Sequence, residues 1–227
     1  VEINVTEETS INNYSVSNSF KPWLGYNNFS NYAHTEGNYT MALGKGAHAE
    51  GEDTRAVGHY AHAEGSDTTA FYCAHAEGEL TRAEGNNAHA EGKVTKALGN
   101  GAHSEGYYST ASGHYSHTEG YGTSAIGDNS HSEGQYSVAN GTDSHAEGAV
   151  TTANGFGSHT EGRNTFANGM YSHAEGQESV ADGNYSHAEG KSTANGMGSH
   201  SEGTSTVASG ENSHSEGFNT RAEGNNS

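Results

Sequence analysis

The chain has 227 residues, of which 33 are Gly and one is Pro; only 30% are hydrophobic and the formal charge is −19. This excludes a conventional single-core domain, which at this length needs far more large aliphatic side chains. Nine Lys and Arg against 28 Asp and Glu argue against a nucleic-acid surface, and no stretch approaches the apolar length of a membrane helix.

In chain order, residues 1–30 carry no repeat. FKPWLGYNNF (20–29) holds the single Pro and the single Trp. A stacked repeat exposes unpaired strand edges at its open end, so Phe20, Trp23, Leu24 and Tyr26 are expected to cap it or to seat a preceding domain. From residue 31 to 227 the chain repeats. His-x-Glu-Gly occurs fourteen times, with steps of 14 residues except for two of 13, His62 to His75 and His187 to His200. Its histidines are His34, His48, His62, His75, His89, His103, His117, His131, His145, His159, His173, His187, His200 and His214. The glutamates are Glu36, Glu50, Glu64, Glu77, Glu91, Glu105, Glu119, Glu133, Glu147, Glu161, Glu175, Glu189, Glu202 and Glu216. Between them runs a second half-repeat, Thr/Ser-x-Ala-x-Gly, as in TRAVG (54–58) and TKALG (95–99). Low hydrophobicity with high charge ordinarily means disorder, but a disordered chain has no need of a fixed register.

A 14-residue period is too short for two packed helices, and its recurring Gly breaks helices. It suits two short strands joined by two tight bends. Alternate strand residues face opposite sides: Ala47 and Ala49 against His48 and Glu50, then Thr54 and Ala56 against Arg55 and Val57. Positions held at Ala, Ser or Thr are the inside. The predicted fold is an all-β parallel β-solenoid of about fourteen turns, roughly 65–70 Å long at the interstrand spacing. A regular solenoid also raises ice binding, but its repeated Thr residues are assigned to the interior. The outward pair of the second half varies freely and reads as a solvated face. The outward pair of the first half is His and Glu every time. A thin roll with so small an interior buries little apolar surface, so association through the uniform face is expected.

YSVANG (136–141), TSAIG (123–127) and TVASG (206–210) resemble the head repeats of YadA-like trimeric autotransporter adhesins, also found in phage tail fibres. The resemblance covers about residues 31–227. It implies a left-handed β-roll, three copies about one axis, an extracellular place on a cell surface or virion tail, and attachment to a host receptor or glycan. The family places large aliphatic residues on the strand facing the axis; this chain carries His and Glu there.

Three readings of the ladder stay open. In the first it joins chains and fixes their register. Unscreened, stacked carboxylates would repel by on the order of 3 kcal/mol per adjacent pair; imidazoles donating to them would raise the His pKa. Protonating the fourteen would take the charge from −19 to −5. Stability would then peak in mild acid. In the second, His48, His62, His89, His103, His117, His131, His145, His159, His173 and His187 bind a divalent metal on the trimer axis, where three imidazoles meeting suit Zn²⁺, Ni²⁺, Cu²⁺ or Fe²⁺; no other cofactor is expected. In the third it is a solvated acidic stripe. Catalysis is excluded by repetition: an active site is singular. Tyr32, Tyr60, Tyr115, Tyr171 and Tyr185 lie two residues before the motif His, either as an exposed aromatic ridge or covering the bends. Cys73 has no disulfide partner in the chain and reads as an inert thiol. The chain stops at Ser227, where the next His falls due, so the repeat is expected to continue. Both 13-residue steps are expected to be absorbed in bends.

Overall fold

The computed structural model describes residues 32–227; the expected cap, Phe20, Trp23, Leu24 and Tyr26, lies outside them. Among the described residues there are 26 strands and no helix. Long and short strands alternate: β1 (His34–Asn38), β2 (Met41–Ala42), β3 (His48–Glu52) and β4 (Arg55–Ala56) form the first two turns. Long pairs with long and short with short, parallel and one repeat apart, except that the strands His187–Ala194 and His200–Ala208 each run on to pair with a long and a short neighbour. His34 lies beside His48 and Glu36 beside Glu50; Met41 lies beside Arg55. The chain is thus a parallel β-solenoid whose equivalent residues stack.

The interior is as expected. Ala47, Ala49, Thr54 and Ala56 are buried, and so are their equivalents along the rod; the largest fully buried side chains are Thr and Ser. Buried hydroxyls need partners. Ser116, Ser130, Ser144, Ser158 and Ser172 donate to the Gly carbonyl three residues earlier at 2.6–2.8 Å, closing one bend in each turn. Of the repeated Thr residues assigned to the interior, those at 54, 68, 81, 95, 123, 151 and 165 lie inside and offer no outward array, whereas Thr220, in the last turn, is only half-buried.

Two glycine columns allow the stacking. Gly51 has φ +116°, and a Cβ there would stand 2.0 Å from the Gly65 carbonyl oxygen. At Gly58 a Cβ would stand 2.4 Å from the Tyr72 backbone nitrogen. The bends also place non-Gly residues in the left-handed region, among them Asp53, Tyr60, Tyr115, Val150, Tyr171 and Tyr185. For Val150 this conformation is costly, on the order of 1–2 kcal/mol. The tyrosines serve both readings made of them: Tyr115 is 72% exposed, yet its ring lies where a Cβ on Gly101 of the preceding turn would meet it, at 2.8 Å.

Both short steps are absorbed in bends. Between Ala70 and His75 one bend residue is missing, Cys73 takes the left-handed position with φ +52°, and the thiol is exposed. His75 still pairs with His62 and His89. At the second step the left-handed residue itself is missing, so one strand, His187–Ala194, runs through the corner. The register shifts at Lys191/Ser192 while His187 stays beside His200.

Ala146→Leu should destabilise the roll by at least about 3 kcal/mol, because no neighbouring side chain can withdraw to make room. Chemical denaturation of the purified variant checks this; an unchanged midpoint would mean that Ala146 does not face the interior.

Candidate functional site

Identical register puts His on His. The fourteen motif imidazoles form one column with ring centroids 4.6–4.9 Å apart. Neighbouring rings are parallel within 15°, except His34 and His48, which meet edge to face at 86°. The glutamates form a second column beside it. In nine of the turns His Nε2 stands 3.5–3.9 Å from the Glu Oε2 of the same turn, as at His48–Glu50, His131–Glu133 and His173–Glu175. That is ion-pair range, too long for good hydrogen bonds. The expected donation from imidazole to carboxylate is therefore not made within one chain.

Twelve of these Nε2 atoms, from His48 to His200, are buried and have no hydrogen-bond partner among the described residues. The rings themselves are about one-third exposed, so the buried edge is the one turned towards the glutamates. The two histidines outside the motif behave differently. His59 Nδ1 accepts from the Lys45 backbone N–H at 2.9 Å, and His114 Nδ1 from that of Asn100 at 3.1 Å.

The protonation state follows from this geometry and reverses the sequence expectation. Burial first, then the two neighbouring imidazoles, hold His48, His75, His103, His131, His159 and His200 below the ordinary value of 6.5; the glutamates push upwards and lose. The expectation of a raised pKa weighed the carboxylate and omitted the imidazoles stacked above and below. A proton on one ring disfavours a proton on the next.

Among the described residues, three donors come within 4.8 Å of one another in four groups: His145/Glu147/His159, His159/Glu161/His173, His173/Glu175/His187 and Glu189/His200/Glu202. Of the histidines expected as metal ligands, His145, His159, His173 and His187 fall in these groups. No sequence signal separated them, since every turn carries the same motif.

The opposite strand carries an amide ladder that sequence reading did not single out. Asn140 Nδ2 donates to Asn154 Oδ1, Asn154 to Asn168 and Asn168 to Asp182, at 2.5–2.6 Å. Its signal was Asn three times at one repeat position. Bend aromatics also meet: Tyr107 stacks on Tyr121 at 5.4 Å and Tyr171 on Tyr185 at 5.6 Å.

The family described as YadA head domain repeat (2 copies) matches residues 36–54, 49–71, 97–116 and 119–144. These stretches of the chain are similar to YadA head repeats. No curated protein matches the chain. The matched segments alternate the small-x-small strands described above, and in them the outward pair of the long strand is His and Glu.

The pH response follows with its sign. A folded-state pKa below the unfolded value means that the unfolded chain binds more protons between the two. The roll should hold its stability above about pH 6.5 and lose it as pH falls through that value towards the depressed folded pKa. Thermal melts of chelator-treated protein from pH 7.5 to 5 should show a steady fall in Tm; a Tm that rises on acidification would contradict the lowered pKa of these six imidazoles.

Proposed function

We propose that this chain is a rod-like segment of a homotrimeric, surface-displayed fibre, adhesin head or phage tail fibre, in which three copies meet along the His-Glu column. YadA-like heads are structural, adhesin-like solenoids, trimeric in general and typically extracellular. The observation that carries the reading is the straight column of buried, unpartnered Nε2 atoms. A buried polar atom left unpaired costs about 1–3 kcal/mol, and hydrogen-bonding groups of other chains brought to an axis are suitable partners for neutral imidazoles. A contact built from one repeated pair also keeps the layers level: a shift of half a turn along the axis would set imidazoles against the gap between turns. The polar pair thus takes over the task that aliphatic residues perform in the family. This role is structural rather than catalytic. Attachment to a receptor or glycan falls to the bends, where Tyr60, Tyr115, Tyr171 and Tyr185 are exposed and amphipathic rings suit recognition.

Sedimentation equilibrium of the untagged chain should give a mass about three times 23.6 kDa. The triple variant His103→Ala, His117→Ala, His131→Ala should sediment lighter at micromolar concentration while keeping its β circular dichroism. Thr110→Ala, Ser124→Ala, Val138→Ala on the other strand should remain trimeric. A monomer at every concentration would overturn the reading, as would a His variant that stays trimeric.

A further inference from the structure

The column is not uniform along the rod. In the first four turns His and Glu stand 3.7–3.9 Å apart, and the Glu50, Glu64 and Glu77 side chains keep 47% of their surface exposed. At His103, His131, His145 and His173 the gap is 3.5–3.6 Å, while the same-turn pairs of the turns between lie beyond ion-pair range, and exposure falls to 39% at Glu133, 38% at Glu147 and 28% at Glu175. Glu175 there lies between two imidazoles, 3.6 Å from His173 and 4.0 Å from His187. In this drawn-together stretch lie the three groups in which two imidazoles and one carboxylate come within 4.8 Å. The Nε2 atoms of His145, His159, His173 and His187 are buried and have no hydrogen-bond partner among the described residues.

We propose that this stretch binds two divalent transition-metal ions per chain, one held by His145, Glu147 and His159, the other by His173, Glu175 and His187. Two imidazole nitrogens with one carboxylate oxygen form a donor set for Zn²⁺ or Ni²⁺, whereas Ca²⁺ and Mg²⁺ prefer oxygen alone. Donors bonded to one ion at about 2.0–2.2 Å stand at most about 4.4 Å apart. The paired rings, parallel within 3°, must also turn towards each other about their side-chain bonds so that their in-plane lone pairs converge on the ion, which the backbone permits without moving. His159, Glu161 and His173 form the same donor set but share a histidine with each neighbour, so filling that position excludes both others. The two-ion arrangement uses every histidine of the stretch once and sets the charges further apart. Glu189, His200 and Glu202 offer one imidazole and bind more weakly. All donors come from one chain, so the site does not rest on the trimer.

The untagged full chain, stripped by chelator and dialysed, is titrated with Ni²⁺ alone and with Zn²⁺ alone in a calorimeter at pH 7.5. Two ions per chain are expected. His173→Ala with Glu175→Gln should remove one of them; His48→Ala with Glu50→Gln should leave both. Where the first double variant loses its β circular dichroism, Glu175→Gln alone decides, with one site weakened at least tenfold. The absence of binding overturns the proposal, and so does an uptake that both double variants lower alike, which is the mark of independent surface histidines. Sedimentation of the same samples keeps the two proposals apart. A trimer without bound metal overturns this one alone, and a monomer carrying two ions overturns only the trimer.

Discussion

The width of the interior constrains everything else in this chain. The two strands of a turn approach so closely that Thr is the largest side chain between them, and a Cβ on the glycine of one turn would strike the carbonyl of the next. Such a roll gains little from apolar burial. Its cohesion lies in the backbone ladder: the His48 N–H donates to the Ala61 carbonyl at 2.9 Å and the Arg55 N–H to the Thr68 carbonyl at 2.9 Å, with the same pattern turn after turn. That ladder holds only while every turn keeps one register. Both short turns show how strictly: each sheds its residue at a bend, and the imidazoles on either side stay paired.

Strict register has a chemical consequence, because it places like on like. For Asn this is favourable, since an amide both donates and accepts, and Asn140, Asn154 and Asn168 chain together. For ionisable groups it is costly. At His48, His75, His103, His131, His159 and His200 burial and adjacent rings together favour the neutral form. A neutral imidazole keeps one acceptor nitrogen and one donor, which lets it bond a partner chain or ligate an ion. The same geometry therefore underlies both the proposed assembly and the proposed metal sites.

Much of this was legible in the sequence. Alternation in AHAEG and TRAVG assigned Ala49 and Ala56 to the interior and His48 and Glu50 to the outside, because period-2 strands and a core of small residues leave no other arrangement. The bends were less legible. Tyr60, Tyr115 and Tyr171 were seen as an aromatic row, but their left-handed backbone was not; ordinary preference gives that position to Gly or Asn. The sign of the imidazole pKa was misread because motif spacing displays the glutamate two residues away and hides the histidine fourteen away, which lies on the next ring. The narrowing of the column near Glu175 was not legible at all, since identical motifs diverge there only through their accumulated three-dimensional setting.

The central claim is that the motif histidines are enclosed between chains in the native protein, and the molecule supplies its own control. Of its 16 histidines, fourteen belong to the column and two, His59 and His114, sit on bends. Brief modification of the native protein with diethylpyrocarbonate, read by peptide mass spectrometry, compares the two sets directly. The account predicts rapid labelling of His59 and His114 with at least tenfold slower labelling from His48 to His200, and loss of that protection in denaturant. Column histidines labelled as fast as His59 and His114 in the native protein would contradict it.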